Sequence, residues 1–164
     1  MQAPQTPRKP LKPLDEALQE LLAHARPQAG AQMVDTFDAD GRVLAQDCIS
    51  ALHVPPQDNS AMDGFALRIA DWAEGKTLPV SQRVPAGTQP QPLQPGTAAR
   101  IFTGAPVPAG ADCVVMQEQC RQEGDCVLVA SAPRAGQNIR RAGEDIAAGT
   151  VVVAADSRLK PADI

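Results

Sequence analysis

Hydrophobic residues near the start of the chain recur three or four positions apart, the spacing that places them on one face of an α-helix. Asp15 and Glu16 lie in the first turn of this segment, where the helix dipole favours negative charge. The pattern predicts an amphipathic helix whose apolar face packs against the core of the same chain, with a subunit interface as the alternative. This face consists of Leu14, Ala17, Leu18, Leu21, Leu22 and Ala25.

Beyond this helix, short apolar runs alternate with turn-forming residues, which is typical of a mainly β protein. The sequence contains 16 prolines and 12 glycines, which favours many turns over long helices. Prolines within 88–96 predict a surface loop, and the polar run 121–125 predicts a turn. Strands are predicted at 33–37, at the end of 43–49, and at 65–69, 78–80, 83–87, 101–102, 114–116, 126–129 and 151–153.

The composition is that of a folded protein, because 164 residues of which 43% are hydrophobic suffice to bury a core. A net charge of −4 argues against nonspecific nucleic-acid binding, which depends on Lys and Arg that neutralise phosphates. No apolar run reaches the roughly 18 residues that a membrane span needs. The four cysteines lack Cys-x-x-Cys spacing and no signal peptide precedes them. We therefore expect a cytoplasmic protein with reduced thiols, without a zinc site or a disulfide framework.

The stretch 54–67 combines turn formers, two carboxylates and an apolar run, and is the most informative part of the sequence. Asp58 precedes two residues with short polar side chains, and Asp63 precedes a glycine, so both carboxylates lie in turn signals. Composition alone favours the interpretation that these aspartates only shape turns. The alternative is an acidic loop that holds a cation or a proton.

Two later segments have residue types that suit anion binding. Thr103 and Gly104 open a Gly- and Pro-rich loop, where a hydroxyl and a backbone N–H could bind an oxyanion, although such loops are more often only turns. Further along, Arg140 and Arg141 lie within five residues of two carboxylates. This charged run is either a solvated surface or a site in which the arginines bind an anion and Asp145 orients a guanidinium or holds Mg²⁺.

The three segments together resemble one known family. They read Asp-Asn-Ser-Ala-Met-Asp-Gly-Phe-Ala at 58–66, Thr-Gly-Ala-Pro at 103–106 followed by Gly-Ala-Asp-Cys-Val-Val at 110–115, and Asn-Ile-Arg-Arg-Ala-Gly-Glu-Asp at 138–145. The residues of these segments and their order along the chain are similar to those of the MoeA family of molybdopterin molybdenumtransferases, which includes the E domain of gephyrin. The resemblance extends from about residue 14 to residue 164.

The resemblance implies a transferase of molybdenum cofactor biosynthesis that inserts molybdenum from molybdate into adenylylated molybdopterin and releases AMP. Mg²⁺ is the implied cofactor and molybdate a substrate. The family also implies a homodimer whose subunits share the site, and a molybdopterin adenylyltransferase as a further partner. The implied roles are catalysis for Asp63, Thr103 and Asp145, substrate binding for Ser60, Arg140 and Arg141, and metal binding for Asp63 and Asp145.

The resemblance further implies a mainly β fold of bifurcated, coiled β-sheets with an N-terminal amphipathic helix and an inserted β-barrel-like subdomain. We expect 1–12 to be a flexible lead-in, 13–50 plus 140–164 a discontinuous subdomain I, and 51–139 the inserted subdomain II. The motifs of the family's molybdopterin-binding α/β domain and C-terminal β domain do not occur in the sequence. We therefore expect an N-terminal region that is inactive alone; the alternative is a non-catalytic dimerisation or partner-docking β module.

Overall fold

A computed structural model describes residues 11–26 and 29–164, so most of the predicted lead-in lies outside the described residues. Helix α1 spans Leu14–His24, and four short 3-10 helices span Thr36–Asp38, Ile69–Asp71, Gln117–Gln119 and Pro161–Asp163. The strands of the described residues are β1 (Cys48–Ile49), β2 (Asn59–Ser60), β3 (Gly64–Leu67), β4 (Thr77–Val84), β5 (Ala98–Ile101), β6 (Cys113–Met116), β7 (Cys120–Glu123), β8 (Cys126–Val129), β9 (Ile139–Arg140) and β10 (Val151–Val153).

The main sheet has six strands in the order β6-β3-β5-β4-β8-β7. β4 and β5 run parallel, and the other neighbours are antiparallel. β4 changes partner along its length, because 77–79 pair with β8 and 80–84 pair with β5. The sheet therefore bifurcates at β4, at the point where Pro79 interrupts the donor pattern.

Apolar side chains cover both faces of this sheet. All four residues of β3 are buried, as expected for a central strand, and alternate side chains point to opposite faces. One face packs Phe65, Leu67, Leu78, Ala98, Cys113, Val115, Val127 and Val129 into a cluster. The other packs Ala66, Val84, Leu93, Ala99, Ile101, Ala105 and Val114.

Two small antiparallel ribbons bring distant parts of the chain together. β1 pairs with β10, and β2 pairs with β9. The first ribbon joins parts of the two segments that were predicted to form subdomain I. The predicted subdomain boundaries stay predictions. The mainly β fold with a curled sheet and an N-terminal helix is confirmed.

The apolar face of α1 does not pack against the core of the described chain, so the preferred prediction for this face is wrong. No residue of α1 is buried. Leu14 is 82% exposed, Leu21 72% and Leu22 64%. The helical periodicity correctly located the helix, but amphipathicity alone does not identify what covers the face.

The strand predicted at 33–37 is also wrong. Thr36–Asp38 is a 3-10 helix instead, and the carboxylate of Asp35 accepts a hydrogen bond from the N–H of Phe37 at 3.1 Å. Asp at this position competes for the backbone donors that a strand would use. Met33 and Phe37 remain exposed, at 97% and 88%.

Two further predictions need correction in the sheet. The separate extended pieces at 78–80 and 83–87 are one strand, β4, which ends at Val84. The polar run 121–123 belongs to edge strand β7 rather than to a turn, since Cys120–Glu123 pairs with β8. An edge strand of this kind faces solvent, so its sequence lacks the apolar residues that mark a strand. In the loop 88–96, Leu93 is buried.

No helix in residues 11–26 and 29–164 has the length and apolar character needed to cross a membrane.

Candidate functional site

Backbone hydrogen bonds hold the three motif segments against one another. The N–H of Gly104 donates to the carbonyl of Ser60 at 2.8 Å, and the N–H of Ser60 donates to the carbonyl of Ala105 at 2.9 Å. On the other side of the same segment, β2 pairs with β9, which places Asn59 opposite Arg140. The signature at 58–66 therefore lies between the Thr103 loop and the arginine segment.

Asp63 and Thr103 form the best-defined pair of side chains among these residues. Oδ1 of Asp63 accepts two hydrogen bonds from Thr103, one from the backbone N–H at 2.8 Å and one from the hydroxyl at 2.7 Å. These two donors, the backbone one foremost, hold the pKa of the Asp63 carboxyl below its usual range, and the nearby Arg100 charge adds to the effect. Asp63 is therefore an oriented carboxylate, ionised at neutral pH.

The turn that carries Asp63 is fixed by its neighbours in the sheet. The N–H of Gln117 donates to the carbonyl of Asp63 at 3.0 Å, and Nη1 of Arg100 donates to the carbonyl of Gly64 at 2.8 Å. A Cβ on Gly64 would lie 2.0 Å from the carbonyl oxygen of Val115 on the adjacent strand β6. Gly64 is thus required by a close approach of two backbones, directly beside the candidate site.

Arg140 is paired with carboxylates of its own segment. Its Nη2 contacts both carboxylate oxygens of Asp145 at 2.6 Å, and its Nε lies 3.6 Å from Oε1 of Glu144. The Asp145 contact, foremost, raises the pKa of the Arg140 guanidinium. These groups are accessible, so water screens the pair.

Arg141 connects this segment to the signature. Its Nη1 contacts Oδ2 of Asp58 at 2.5 Å, and the N–H of Ala142 donates to Oδ1 of the same aspartate at 2.9 Å. The Ala142 bond and then the Arg141 contacts hold the pKa of the Asp58 carboxyl below its usual range, against an opposing effect of burial. Asp58 therefore links the signature segment to the arginine segment. The interpretation that Asp58 shapes a turn predicted part of this structural role.

The hydroxyl of Ser60 has a structural role. The side chain is buried, and Oγ donates to the carbonyl of Met62 at 2.5 Å. The N–H of Met62 returns a longer bond to Oγ at 3.3 Å. The predicted substrate-binding role of Ser60 stays a prediction, and in this arrangement the hydroxyl stabilises the turn before Asp63.

The predicted site residues form two groups rather than one. Within the described ranges, no hydrogen bond or ion pair joins Asp63 or Thr103 to Arg140, Arg141 or Asp145. The first group is Asp63 with Thr103, and the second is the arginine segment with Asp58, Glu144 and Asp145. Their predicted roles remain predictions, with the segment 58–63 as the link between the two groups.

Arg100 is a residue of this region that sequence reasoning missed. Its Nη2 donates to Oε1 of Gln117 at 2.6 Å, and its guanidinium lies over the rings of Phe65 and Phe102, 5.2 and 4.5 Å from their centroids. A charged residue inside an otherwise apolar strand, two positions before Phe102, was the available signal. Arg100 on β5 thus connects β3 with the 3-10 helix that follows β6, next to Asp63.

Mg²⁺, which the family resemblance implies, prefers oxygen ligands. Among residues 11–26 and 29–164, no three His, Cys, Asp or Glu side chains form a group suited to a metal ion. In the same ranges Oδ2 of Asp63 accepts no hydrogen bond, whereas both oxygens of Asp145 contact Arg140. Protein-bound Mg²⁺ commonly uses one or two carboxylates together with substrate phosphates and water. Asp63 fits as a single protein ligand, and Asp145 fits only if it releases Arg140.

Cys113 and Cys120 do not offer an activated nucleophile. Burial raises the pKa of the Cys113 thiol to about 12 and that of the Cys120 thiol to about 11. Both thiols are therefore protonated at neutral pH, and the nucleophilic form of cysteine is the thiolate. All four cysteines are free, as the sequence predicted.

Comparison with known proteins gives a consistent result. Residues 12–164 match the family model described as the MoeA N-terminal region, domains I and II. The chain is 40% identical to a molybdopterin molybdenumtransferase of Nostoc sp. over 98% of this chain and 38% of the relative, and 38% identical to that of Haemophilus influenzae over 92% and 38%. The crystal structure of the molybdopterin biosynthesis moeA protein from Pyrococcus horikoshii OT3 superposes with a TM-score of 0.85 at 37% identity, covering 94% of this chain and 42% of that one.

Proposed function

Because the chain belongs to the MoeA N-terminal region family, we propose that it supplies the N-terminal part of a molybdopterin molybdenumtransferase. In this proposal the whole enzyme inserts molybdenum from molybdate into adenylylated molybdopterin and releases AMP. The chain spans about 38% of the length of these curated relatives, so the remaining part of the active site comes from other residues. The chain alone is accordingly inactive.

The observation that carries the proposal is the geometry at Asp63. Two donors from Thr103 hold Oδ1 at 2.7 and 2.8 Å, which leaves Oδ2 available to a ligand. Cleavage of a phosphoanhydride requires neutralisation of the developing negative charge and a carboxylate that holds a metal ion or orients water. Asp63 supplies that carboxylate, and Thr103 orients it.

In the proposed reaction a bound Mg²⁺ would supply charge neutralisation at the phosphates of the substrate. Asp63 would hold the ion as an ionised carboxylate, and the donors of Thr103 lower its pKa further. The ion is not expected to depend on Asp145 while that carboxylate contacts Arg140. The family resemblance implied metal binding by both Asp63 and Asp145, and the contacts of the two side chains favour Asp63.

Arg140 and Arg141 have a more limited role in the proposal. Each contacts a carboxylate at 2.6 and 2.5 Å, respectively, so their charge is already partly neutralised. Together the two guanidinium groups form ion pairs with three carboxylates, those of Asp58, Glu144 and Asp145. The arginines therefore orient a substrate anion through their remaining N–H groups rather than attract it from a distance.

The proposal is tested by titrating the chain with molybdate at fixed Mg²⁺ while the Thr103 amide and the Arg140 side chain are observed by NMR. The expected result is a Mg²⁺-dependent shift of the Thr103 amide that Asp63→Asn abolishes. Asp125→Asn changes an exposed aspartate in a turn of the sheet and serves as the matched control. An unaltered titration of the Asp63→Asn variant would remove Asp63 from the proposed site.

A homodimer that shares the site, a molybdopterin adenylyltransferase partner and a cytoplasmic location belong to the same proposal. The exposed apolar face of α1 supports association of subunits, because soluble monomers seldom expose large apolar patches. The same observation favours the second candidate function, a non-catalytic dimerisation module. The two candidate functions make different predictions for Asp63, because only the enzyme requires this carboxylate.

A further inference from the structure

Two arginines lie side by side on neighbouring strands of the main sheet. Arg83 on β4 and Arg100 on β5 are direct register partners in a parallel pair. Residues at matching positions share a face, and neighbouring strands are about 4.8 Å apart. Both guanidinium groups also lie over the ring of Phe102, at 4.7 Å for Arg83 and 4.5 Å for Arg100.

Neither arginine forms an ion pair within the described ranges. Arg140 and Arg141 differ in this respect, since both contact carboxylates. Like charges at directly opposite positions of a sheet destabilise it, and the ring of Phe102 relieves this repulsion only in part. An anion that contacts both guanidinium groups would remove the repulsion.

The two arginines differ in how firmly they are held. Nη1 of Arg100 donates to the carbonyls of Gly64 and Ile101, and Nη2 donates to the side chain of Gln117, while Nε donates to no acceptor in the described residues. Arg83 is exposed and has no hydrogen bond in those residues. The Arg100 guanidinium is thus held in place with its Nε–H free, and the exposed Arg83 side chain has all its donors available.

Phe102 places this pair beside the candidate site. It immediately precedes Thr103, whose hydroxyl donates to Asp63 at 2.7 Å. The charge of Arg100 also acts on the Asp63 carboxyl, and the proposed mechanism uses neither Arg83 nor Arg100.

We propose that Arg83 and Arg100, which both lie against the ring of Phe102, form a binding subsite for a phosphate-type oxyanion. Planar guanidinium groups match the spacing of phosphate oxygens and bind them with paired N–H donors. Free phosphate and the phosphate of a nucleotide share this chemistry. The subsite does not depend on the proposed transferase function, because binding is measurable without turnover.

The test is an NMR titration of the chain with inorganic phosphate, with chloride adjusted to keep the ionic strength constant. The Nε–H signals of Arg83 and Arg100 are expected to shift together and to saturate. Arg83→Met is the principal variant because Arg83 is exposed and makes no hydrogen bond in the described residues, so the fold is expected to be retained. It should weaken phosphate binding about tenfold, the effect of one charge-assisted contact.

Arg121→Met is the matched control, because Arg121 is an exposed arginine of the same sheet that pairs with Glu123. It should leave phosphate binding unchanged. A parallel titration with AMP identifies the source of the anion: tighter binding of AMP assigns a nucleotide phosphate, and tighter binding of inorganic phosphate assigns the free anion. Shifts that chloride alone reproduces, shifts confined to Arg140 and Arg141, or unaltered binding by Arg83→Met would each overturn the proposal. Asp63→Asn tests the transferase proposal separately.

Discussion

Asp63 is the side chain whose environment most directly supports a chemical role. It receives two hydrogen bonds from Thr103, a residue 40 positions further along the chain. Both bonds favour the charged form of the carboxyl group. The lowered pKa of Asp63 is therefore a consequence of how the loop 103–107 is fixed to the signature segment.

We predict that Thr103→Val raises the pKa of Asp63 towards its usual value without restoring it fully. Valine removes the hydroxyl donor, while the backbone donor, which is the larger cause of the lowered pKa, remains. A carboxyl group whose pKa is lower in the folded state stabilises the fold above its unfolded pKa, and this contribution is lost as pH falls through the folded pKa. The contribution should therefore be smaller in the variant, and its loss should be complete at a higher pH.

The measurement is a carbon-13 NMR titration of the Asp63 carboxyl, with the acid-unfolding midpoint as a second readout. Thr88→Val is the control, because the Thr88 hydroxyl donates to the carbonyl of Pro85 in a distant loop. An unchanged pKa of Asp63 in Thr103→Val would show that the hydroxyl bond has no electrostatic effect.

The sequence was sufficient to select Asp63 and Thr103 but not to predict their contact. Turn chemistry and the family resemblance identified both residues, whereas the hydrogen bonds between them depend on the packing of β3 against β5. Arg100 was missed because its role depends on neighbours that are distant in sequence, on β3 and in the 3-10 helix after β6. For Ser60, the family resemblance implied substrate binding, and the structure shows that its hydroxyl donates a hydrogen bond within a local turn.

β3 is the strand that carries the signature into the sheet, and Gly64 controls its approach to β6. We predict that Gly64→Ala destabilises the fold by about 1–3 kcal/mol, near the upper end, because the added methyl group would overlap a backbone carbonyl that cannot move independently. Chemical denaturation measures the change in the free energy of unfolding. The Thr103 amide signal should move as well, because the turn at Asp63 would shift.

Gly30→Ala is the matched control for this prediction. A Cβ at Gly30 would meet no atom within 4 Å among the described residues. Its free energy of unfolding should stay within about 0.5 kcal/mol of the unsubstituted chain. Equal effects of the two substitutions would contradict the close approach of β3 and β6.

The strands with apolar runs were the ones that the sequence located. β6 and β8 fall on buried runs of Val and Leu, with Cys at their first positions. β7 was missed because an edge strand with polar side chains has the composition of a turn. β4 was divided in two because the polar residues Ser81 and Gln82 separate its apolar positions, although the strand continues through them.

The chain exposes several large hydrophobic side chains outside the buried core of its main sheet. Large exposed hydrophobic side chains occur on α1 and on the β1–β10 ribbon, where Ile49 is 58% and Val151 50% exposed. The sequence left open whether α1 packs internally or against another subunit. The exposed face favours the second possibility, consistent with a chain that matches only part of its relatives.

We predict that Leu18→Glu changes the free energy of unfolding of the chain by no more than about 0.5 kcal/mol, as is usual for an exposed position. The same substitution should weaken self-association, measured by analytical ultracentrifugation. Leu78→Ala is the contrasting variant, since Leu78 is buried in the main sheet and its truncation should cost about 2–5 kcal/mol. A large loss of stability in Leu18→Glu would show that α1 packs within the chain.

The central claim is that this chain contributes Asp63 to a shared molybdenum-inserting site. The most direct test mixes the chain with a family enzyme whose own aspartate at the signature position is inactivated, and supplies adenylylated molybdopterin, molybdate and Mg²⁺. The account predicts that active cofactor forms, and that it no longer forms when the chain carries Asp63→Asn. No active cofactor despite demonstrated association of the two proteins, or equal activity with the Asp63→Asn chain, would contradict the claim.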